Sequence, residues 1–544
     1  MSQPGQDNPG SRGEQERFFG AAKVVAVLTM ISRVLGLLRD MVLVPLGSPL
    51  VADAFWLGFS VPHLFRRLFG EGALSAAFIP VFTEAAEKSG PARARMVLAN
   101  TAGLLAVVLS GLVVLIELGL LAYLLAAPGP WDRQLTVRFT MAMLPFMLFI
   151  CLLALCSAAL NSHGHFAYPA AAPILLNVGL IAAGLWLAPA VARTDAGQFF
   201  IVSAAVVVCS IVQLVGAVWM LRRSGLAARW TLRPVLPEVR QIALRMAPTV
   251  VPLGMVQMCD FLGRLIAKTF TATAAQPDLP LAPGVVRCHY AAGRLYQLPM
   301  GVLGISLATV VFPLLSRCAA RADRQGLRDV LNRALRLCMF LGIPTGVGLV
   351  LLAEPIVGVI FEKRDFSRFD TLRTARMLQM YCAAMPAYFC SHILLRTFFA
   401  RKETRAPMVI SAVMAAANVG IVFGGIFTPL RSAALGLATA VTATATAGVL
   451  AWVLHRRLGK LGWRRVLVGT LRVSAASAVM AGVVIATRWA LASAGAGRLI
   501  VVIGCVVAGG AAFLAAAWLL RCEELGMILR RTERKAGGDS ATMT

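Results

Sequence analysis

The chain has 544 residues, of which 58% are hydrophobic and 14% charged, with a mean hydropathy of +0.77. Soluble domains carry about 45–50% apolar and about 25% charged residues, so a soluble enzyme, a disordered chain and a secreted disulfide scaffold are excluded. The net charge of +27, from 52 Lys+Arg against 25 Asp+Glu, lies in short loops between apolar runs, with no basic, aromatic-interleaved helix; this excludes a nucleic-acid partner.

Residues 1–19 read as a polar cytoplasmic tail. The apolar run from Ala21 passes through Arg33 and Arg39 without a small-residue cleavage site, so it is a first span and not a signal peptide. Runs of about 20 apolar residues then recur. Fourteen helical spans are predicted, near 20–46, 54–85, 97–127, 133–160, 168–191, 197–223, 242–272, 285–317, 329–361, 371–401, 406–427, 430–455, 467–491 and 497–521. They must be helices because lipid offers nothing to pair with an open sheet edge. Spans 2 and 8 are long for a hydrocarbon core of about 30 Å, and bends are expected at Pro62, Gly70 and Gly72, and at Pro299, Gly301 and Gly304.

An even number of spans places both termini on one side. Loops on that side hold twenty Lys/Arg (among them Lys88, Arg93, Arg317, Arg401 and Arg456) against seven on the other, so both termini are expected in the cytoplasm. The eleven Cys are scattered singly, no HExxH occurs among the six His, and no metal chemistry is expected. Residues 76–86 and 309–319 share a Phe/Pro-centred pattern at an offset of 233, close to six spans. The chain therefore reads as an all-α membrane protein of two six-span lobes in pseudo-symmetric repeat. The expected division is an N-lobe at 20–223, a linker at 224–241, a C-lobe at 242–457, two further spans at 458–522 and a tail at 523–544. Such repeats are the architecture of transporters.

Charges inside the spans fall in spans 1, 2, 7 and 8: Arg33, Arg39 and Asp40; Arg66, Arg67 and Glu71, with Asp53 at the mouth of span 2; Asp260, Arg264 and Lys268; and Arg294. Each Arg at a helix centre costs about 2.5–3.5 kcal/mol on insertion scales, so the set must face water or partners. Arg67 with Glu71 and Asp260 with Arg264 are four apart and are expected to pair. Arg33 and Asp40, seven apart, share a stripe and are expected to pair directly or through water. Arg39, Arg66 and Arg294 then lack a local carboxylate. Converging guanidinium groups suit a multi-oxygen anion such as a phosphate or pyrophosphate. The residues alone thus point to a transporter of an anionic, lipid-linked substrate.

The stretch Ser32-Arg33-Val34-Leu35-Gly36-Leu37-Leu38-Arg39-Asp40, then Asp53-Ala54-Phe55 and Arg66-Arg67-Leu68-Phe69-Gly70-Glu71-Gly72-Ala73, resembles the MurJ/MviN lipid II flippase family of the multidrug/oligosaccharidyl-lipid/polysaccharide exporter superfamily. Arg294-Leu295, Pro299 to Gly304 and the junction Phe398 to Pro407 extend the resemblance over nearly the whole chain. It implies a fourteen-helix fold whose last two helices form a groove for the lipid tail. It also implies a substrate site of Arg33, Arg39, Asp40, Arg66 and Arg294, the arginines holding the pyrophosphate of lipid II during alternating access. No cofactor is implied. The expected partners are lipid II, membrane lipids and proteins of cell-wall synthesis, in the bacterial inner membrane. Where many relatives have an acidic residue before the span 7 and 8 arginines, this chain has Gly263 and Gly293. Coupling to sodium or to the membrane potential is compatible with the family. The sodium-site candidates are Asp260, Asn418 and Thr439, with Val422 standing where a carboxylate would be expected. The alternative is a flippase for another polyprenyl-pyrophosphate glycan of the O-antigen type. A drug antiporter predicts an acidic cavity instead, and a membrane-embedded enzyme needs a catalytic carboxylate, for which Asp40, Asp53 and Glu71 each have a helical or capping role. A scaffold would not need the arginines.

Overall fold

A computed structural model describes residues 9–67, 74–126, 129–226, 230–232, 235–459 and 462–527; within these, the side chains of 9–22, 75–76, 247–253 and 255–256 are not described. The first helices are α1 (Pro9–Leu43), α2 (Pro49–Phe65), α3 (Leu74–Ala126), α4 (Trp131–Met143), α5 (Pro145–Ser162), α6 (Ala167–Ala182), α7 (Ala188–Val191), α8 (Asp195–Arg223) and α9 (Pro237–Thr269). They are followed by α10 (Val285–Pro299), α11 (Ile305–Ala320), α12 (Arg324–Phe361), α13 (Arg368–Ala383), α14 (Met385–Ala400), α15 (Arg405–Gly425), α16 (Ala433–Leu458), α17 (Trp463–Ser493) and α18 (Arg498–Leu519). Two π-helical segments, Ala183–Leu187 and Met300–Gly304, join α6 to α7 and α10 to α11. Two isolated bridges in the 271–281 loop are the β-pairing among the described residues.

The expected all-helical membrane fold is present. Ten helices among the described residues are long and apolar enough to cross a membrane. The other four expected spans are α1, α2, α9 and the α13–α14 pair: α2 has 17 residues, α13 and α14 are 16-residue helices meeting at Ala384, and α1 and α9 each contain side chains outside the described set. In span 8, where a bend was expected, the helix turns π-helical over Met300–Gly304, directly after Pro299. Near Pro62 the helix continues and turns π-helical at Arg66 and Arg67, while Gly70 and Gly72 lie outside the described residues. Spans 2 and 3 join through α3, which kinks at Gly90 (φ 80), a left-handed conformation that glycine adopts without steric cost.

The chain divides into two compact units, Met1–Phe261 and Leu262–Thr544. The boundary falls inside α9, which had been expected to open the second lobe. Contacts explain the shift. Leu236, Val239 and Ile242 join the first unit's core with Phe78, Phe82 and Leu155. Glu238 forms an ion pair with Arg93 at 2.8 Å, and burial raises its pKa but the bond from Arg93 outweighs this, leaving it below the ordinary carboxylate value. The stretch before α9 is likewise held to α3. Asn100 donates to the Thr231 carbonyl at 3.1 Å and accepts from the Leu236 amide at 3.1 Å, and a Cβ at Gly103 would come 2.5 Å from the Thr231 oxygen.

In the second unit, α17 and α18 pack on α12 through Phe340, Leu352, Val473, Met480, Val501 and Phe513. Ion pairs pin both ends of that contact. Arg336 binds Glu523 and Glu524 at 2.8 and 2.6 Å, Glu354 takes Arg488 at 3.0 Å and Glu362 takes Arg498 at 2.8 Å.

Candidate functional site

In the first unit the site residues lie on α1 and α2. Arg39 is 7% exposed and Asp40 1%. The guanidinium donates to Asp40 Oδ1 from Nε at 3.0 Å and from Nη2 at 2.6 Å, and its Nη1 donates to Asn177 Oδ1 at 3.1 Å. The Asn177 amide in turn donates to the Ser32 carbonyl at 3.1 Å, so α6 reads both the side chain and the backbone of α1. This corrects the expected pairing: Asp40 serves its neighbour Arg39 and not Arg33. The reason is local. In the last turn of α1 the Arg39 side chain lies back over Asp40, while Arg33 is exposed and makes no hydrogen bond or ion pair among the described residues.

Arg66 is half-buried at the π-helical turn ending α2, and its Nε donates to His63 Nδ1 at 3.2 Å. The His63 ring rests on Phe59 and Phe146 at 4.1 and 5.2 Å between centroids, which fixes the imidazole. Arg67 was expected to meet Glu71, which lies outside the described residues; its Nη1 donates to Gln257 Oε1 on α9 at 2.6 Å. Asp53, expected at the mouth of span 2, lies one turn inside α2 and is fully buried. Asp260 and Arg264 stand one turn apart on α9, and neither is without a partner.

In the second unit Arg294 is half-buried on α10, its guanidinium 5.8 Å from the Tyr290 ring centroid, a cation–π distance. Two residues on, Tyr296 stacks with Tyr381 of α13 and Tyr388 of α14, at 4.5 and 5.5 Å with interplanar angles of 16° and 24°. The start of α10 is anchored by a cluster that sequence reading missed. Arg287, 0% exposed, donates to Asp370 Oδ2 at 2.7 Å and to the Asp365 carbonyl at 2.9 Å. Arg373 donates to Asp370 Oδ1 at 2.7 Å and to the carbonyls of Ala282 and Pro283, both at 2.8 Å. Asp370 also completes a capping box with Ser367 at the start of α13.

Of the sodium candidates, Asn418 donates to Thr442 Oγ1 at 3.2 Å, and Thr439 bonds back to the Leu435 carbonyl at 3.1 Å. Val422, 2% exposed, fills the next turn with an apolar side chain. Asp260, the third candidate, lies on α9 in the first unit and is the carboxylate of the three.

The residues that sequence reading missed carry uneven signals. A lone Asn177 in the apolar run of span 5 and a lone Gln257 in span 7 are polar groups in lipid-facing sequence, which need partners. Arg287 and Asp370 are 83 residues apart, and no spacing rule links them.

A family model described as lipid II flippase MurJ matches residues 44–505. Among curated relatives, a probable lipid II flippase MurJ of Rhizobium meliloti is 32% identical over 538 residues, covering 94% of this chain and 96% of its own. One of Rhizobium tropici is 30% identical over 521 residues, covering 93% and 95%. Among solved structures, a lipid II flippase MurJ in an inward closed conformation superposes with a TM-score of 0.71 at 21% identity, covering 91% of this chain and 98% of its own. An inward-facing multidrug resistance transporter of the MATE family gives 0.65 at 14% identity, covering 81% and 98%. At those identities the two structures speak for the fold alone.

Proposed function

Because the chain belongs to the lipid II flippase MurJ family, we propose that it moves lipid II from the cytoplasmic to the periplasmic leaflet of the bacterial inner membrane by alternating access, as a transporter and not an enzyme. The observation that carries this reading is a set of arginines within the spans of each unit: Arg33, Arg39 and Arg66 in the first and Arg294 in the second. The planar guanidinium fork is the side-chain group that suits the oxygens of a phosphate or pyrophosphate.

On this reading Asp40 is the resting counter-ion of Arg39. It holds one face of the guanidinium while Asn177 holds another, so the side chain is already oriented when substrate arrives. A pyrophosphate diester, with about two negative charges against one carboxylate, competes for the same fork of N–H donors. Arg33, with no bond to break, is the group free to meet the substrate first. His63 and Tyr290 help to orient Arg66 and Arg294. The polyprenyl tail stays in lipid along α17 and α18. The loop-charge asymmetry supports cytoplasmic termini.

The test is outer-leaflet exposure of lipid II in cells depleted of their own flippase and supplied with this chain. The intact chain restores exposure. Arg39→Ala, Arg66→Ala and Arg294→Ala each abolish it at normal membrane insertion, whereas Arg67→Ala, whose partner is the neutral Gln257, is milder. No exposure from a well-inserted intact chain, or equal tolerance of all four substitutions, overturns the reading.

A further inference from the structure

A second cationic concavity lies away from these residues, at one end of the second unit. The turn from α11 to α12 and the turn after α14 enclose a cleft of about 800 Å³. Arg324, Arg401 and Lys402 line it against the single carboxylate of Asp323. That carboxylate is committed, accepting the Gly326 amide at 2.8 Å as the N-cap of α12. Arg401 is bound to Glu403 through Nε and Nη2, and Glu403 is shared with Arg457, so acid in this neighbourhood is already outnumbered. Arg324 and Lys402 are exposed and make no side-chain hydrogen bond or ion pair among the described residues. Lys402 sits at φ 59, the left-handed position after a helix that glycine usually takes, so a lysine is kept there against backbone preference.

We propose that this cleft binds the phosphodiester headgroup of an acidic phospholipid, a site separate from the arginines of α1, α2 and α10 and independent of the flippase reading. Two free cations beside a third form a phosphate-binding set. The apolar wall favours an amphiphile over a free ion. Phe399, 49% exposed, lines the cleft beside buried Leu327, giving the glycerol and first methylenes a surface to cover. The turns belong to the arginine-rich loops, on the side assigned to the cytoplasm, where anionic headgroups are concentrated.

The test uses the full chain, purified in detergent and titrated with dioleoylphosphatidylglycerol or dioleoylphosphatidylcholine, with bound lipid counted by native mass spectrometry. The intact protein retains phosphatidylglycerol in preference to phosphatidylcholine. The double substitution Arg324→Gln with Lys402→Gln reduces that preference about thirty-fold, from two basic side chains near a lipid surface. Lys363→Gln with Arg364→Gln removes the same charge from a loop at the opposite end of α12 and leaves the preference intact. Unchanged preference in the first double variant overturns the proposal, as does equal loss in the second. Displacement of phosphatidylglycerol by millimolar inorganic phosphate overturns the lipid assignment in favour of a free anion. Retention of lipid II without retention of phosphatidylglycerol overturns it in favour of the pyrophosphate substrate.

Discussion

Replacing Asp370 by alanine removes a carboxylate that two buried guanidinium groups share. Arg287 and Arg373 each reach it at 2.7 Å, and the side-chain exposures of the three are 0%, 8% and 4% for Arg287, Arg373 and Asp370. Breaking a buried pair from one side costs about 3–5 kcal/mol, because the remaining charge stays out of water. Loss of the capping box with Ser367 adds about 1 kcal/mol. The expected loss is therefore about 4–6 kcal/mol. Asp370→Asn keeps an acceptor oxygen and loses less, about 1.5–3 kcal/mol for the charge-assisted bonds it weakens. Eight of the eleven free cysteines are buried, Cys288 among them, so thermal unfolding of the solubilised chain is read by a thiol-reactive dye. The expected order of midpoints is intact chain, Asp370→Asn, Asp370→Ala. Substituting Arg287→Met together with Asp370→Leu removes both ends of one pair, leaves Arg373 its two carbonyls, and is expected to recover stability relative to Asp370→Ala. A midpoint for Asp370→Ala equal to that of the intact chain refutes the reasoning.

Asn177→Ala strips Arg39 Nη1 of its acceptor and costs about 1–3 kcal/mol for the buried donor left behind. In the lipid II exposure assay this variant is expected to be impaired but not dead, and full activity counts against Asn177 as an orienting residue. Gly103→Ala drives a Cβ into the Thr231 backbone and costs about 1–3 kcal/mol; faster trypsin cleavage within 224–241 reports it. For Glu362, burial raises the pKa, but Arg498, Thr371 and Arg368 together hold it below its ordinary 4.5. A depressed carboxylate stabilises above its unfolded pKa and loses that contribution as pH falls through the folded value. The tie from α12 to α18 is thus constant from neutral pH down to about pH 4.5 and weakens below it; Arg498→Gln is expected to flatten that acid limb of the thermal midpoint.

Periodicity and apolar length carried the helices, because lipid leaves the backbone no alternative to internal hydrogen bonding. The irregular turn after Pro299 was legible too, since proline and clustered glycine weaken a helix wherever they fall. Charge pairing was harder to read. Spacing along a helix gave Arg33–Asp40, but the adjacent Arg39 wraps onto the same carboxylate and Asn177 arrives from 138 residues away to hold it there. The unit boundary inside α9 was hidden similarly. The hydropathy of span 7 is one run, whereas Arg93 and Arg67, far off in sequence, decide that its first half belongs with α3 and the end of α2.

The fastening of α17 and α18 has a mechanical meaning. Apolar contact runs along α12 from Phe340 to Ile356, and carboxylate–guanidinium clasps flank it, Arg336 on one side and Glu354 and Glu362 on the other. A helix gripped at two points cannot swivel against its support as one gripped at a single point can. The terminal hairpin is then cargo bolted to α12, and whatever angle α12 takes during turnover the hairpin must take with it. Spin labels on α12 and α17 would keep a fixed separation through the cycle, and any surface the hairpin offers to lipid would be steered by the tilt of α12.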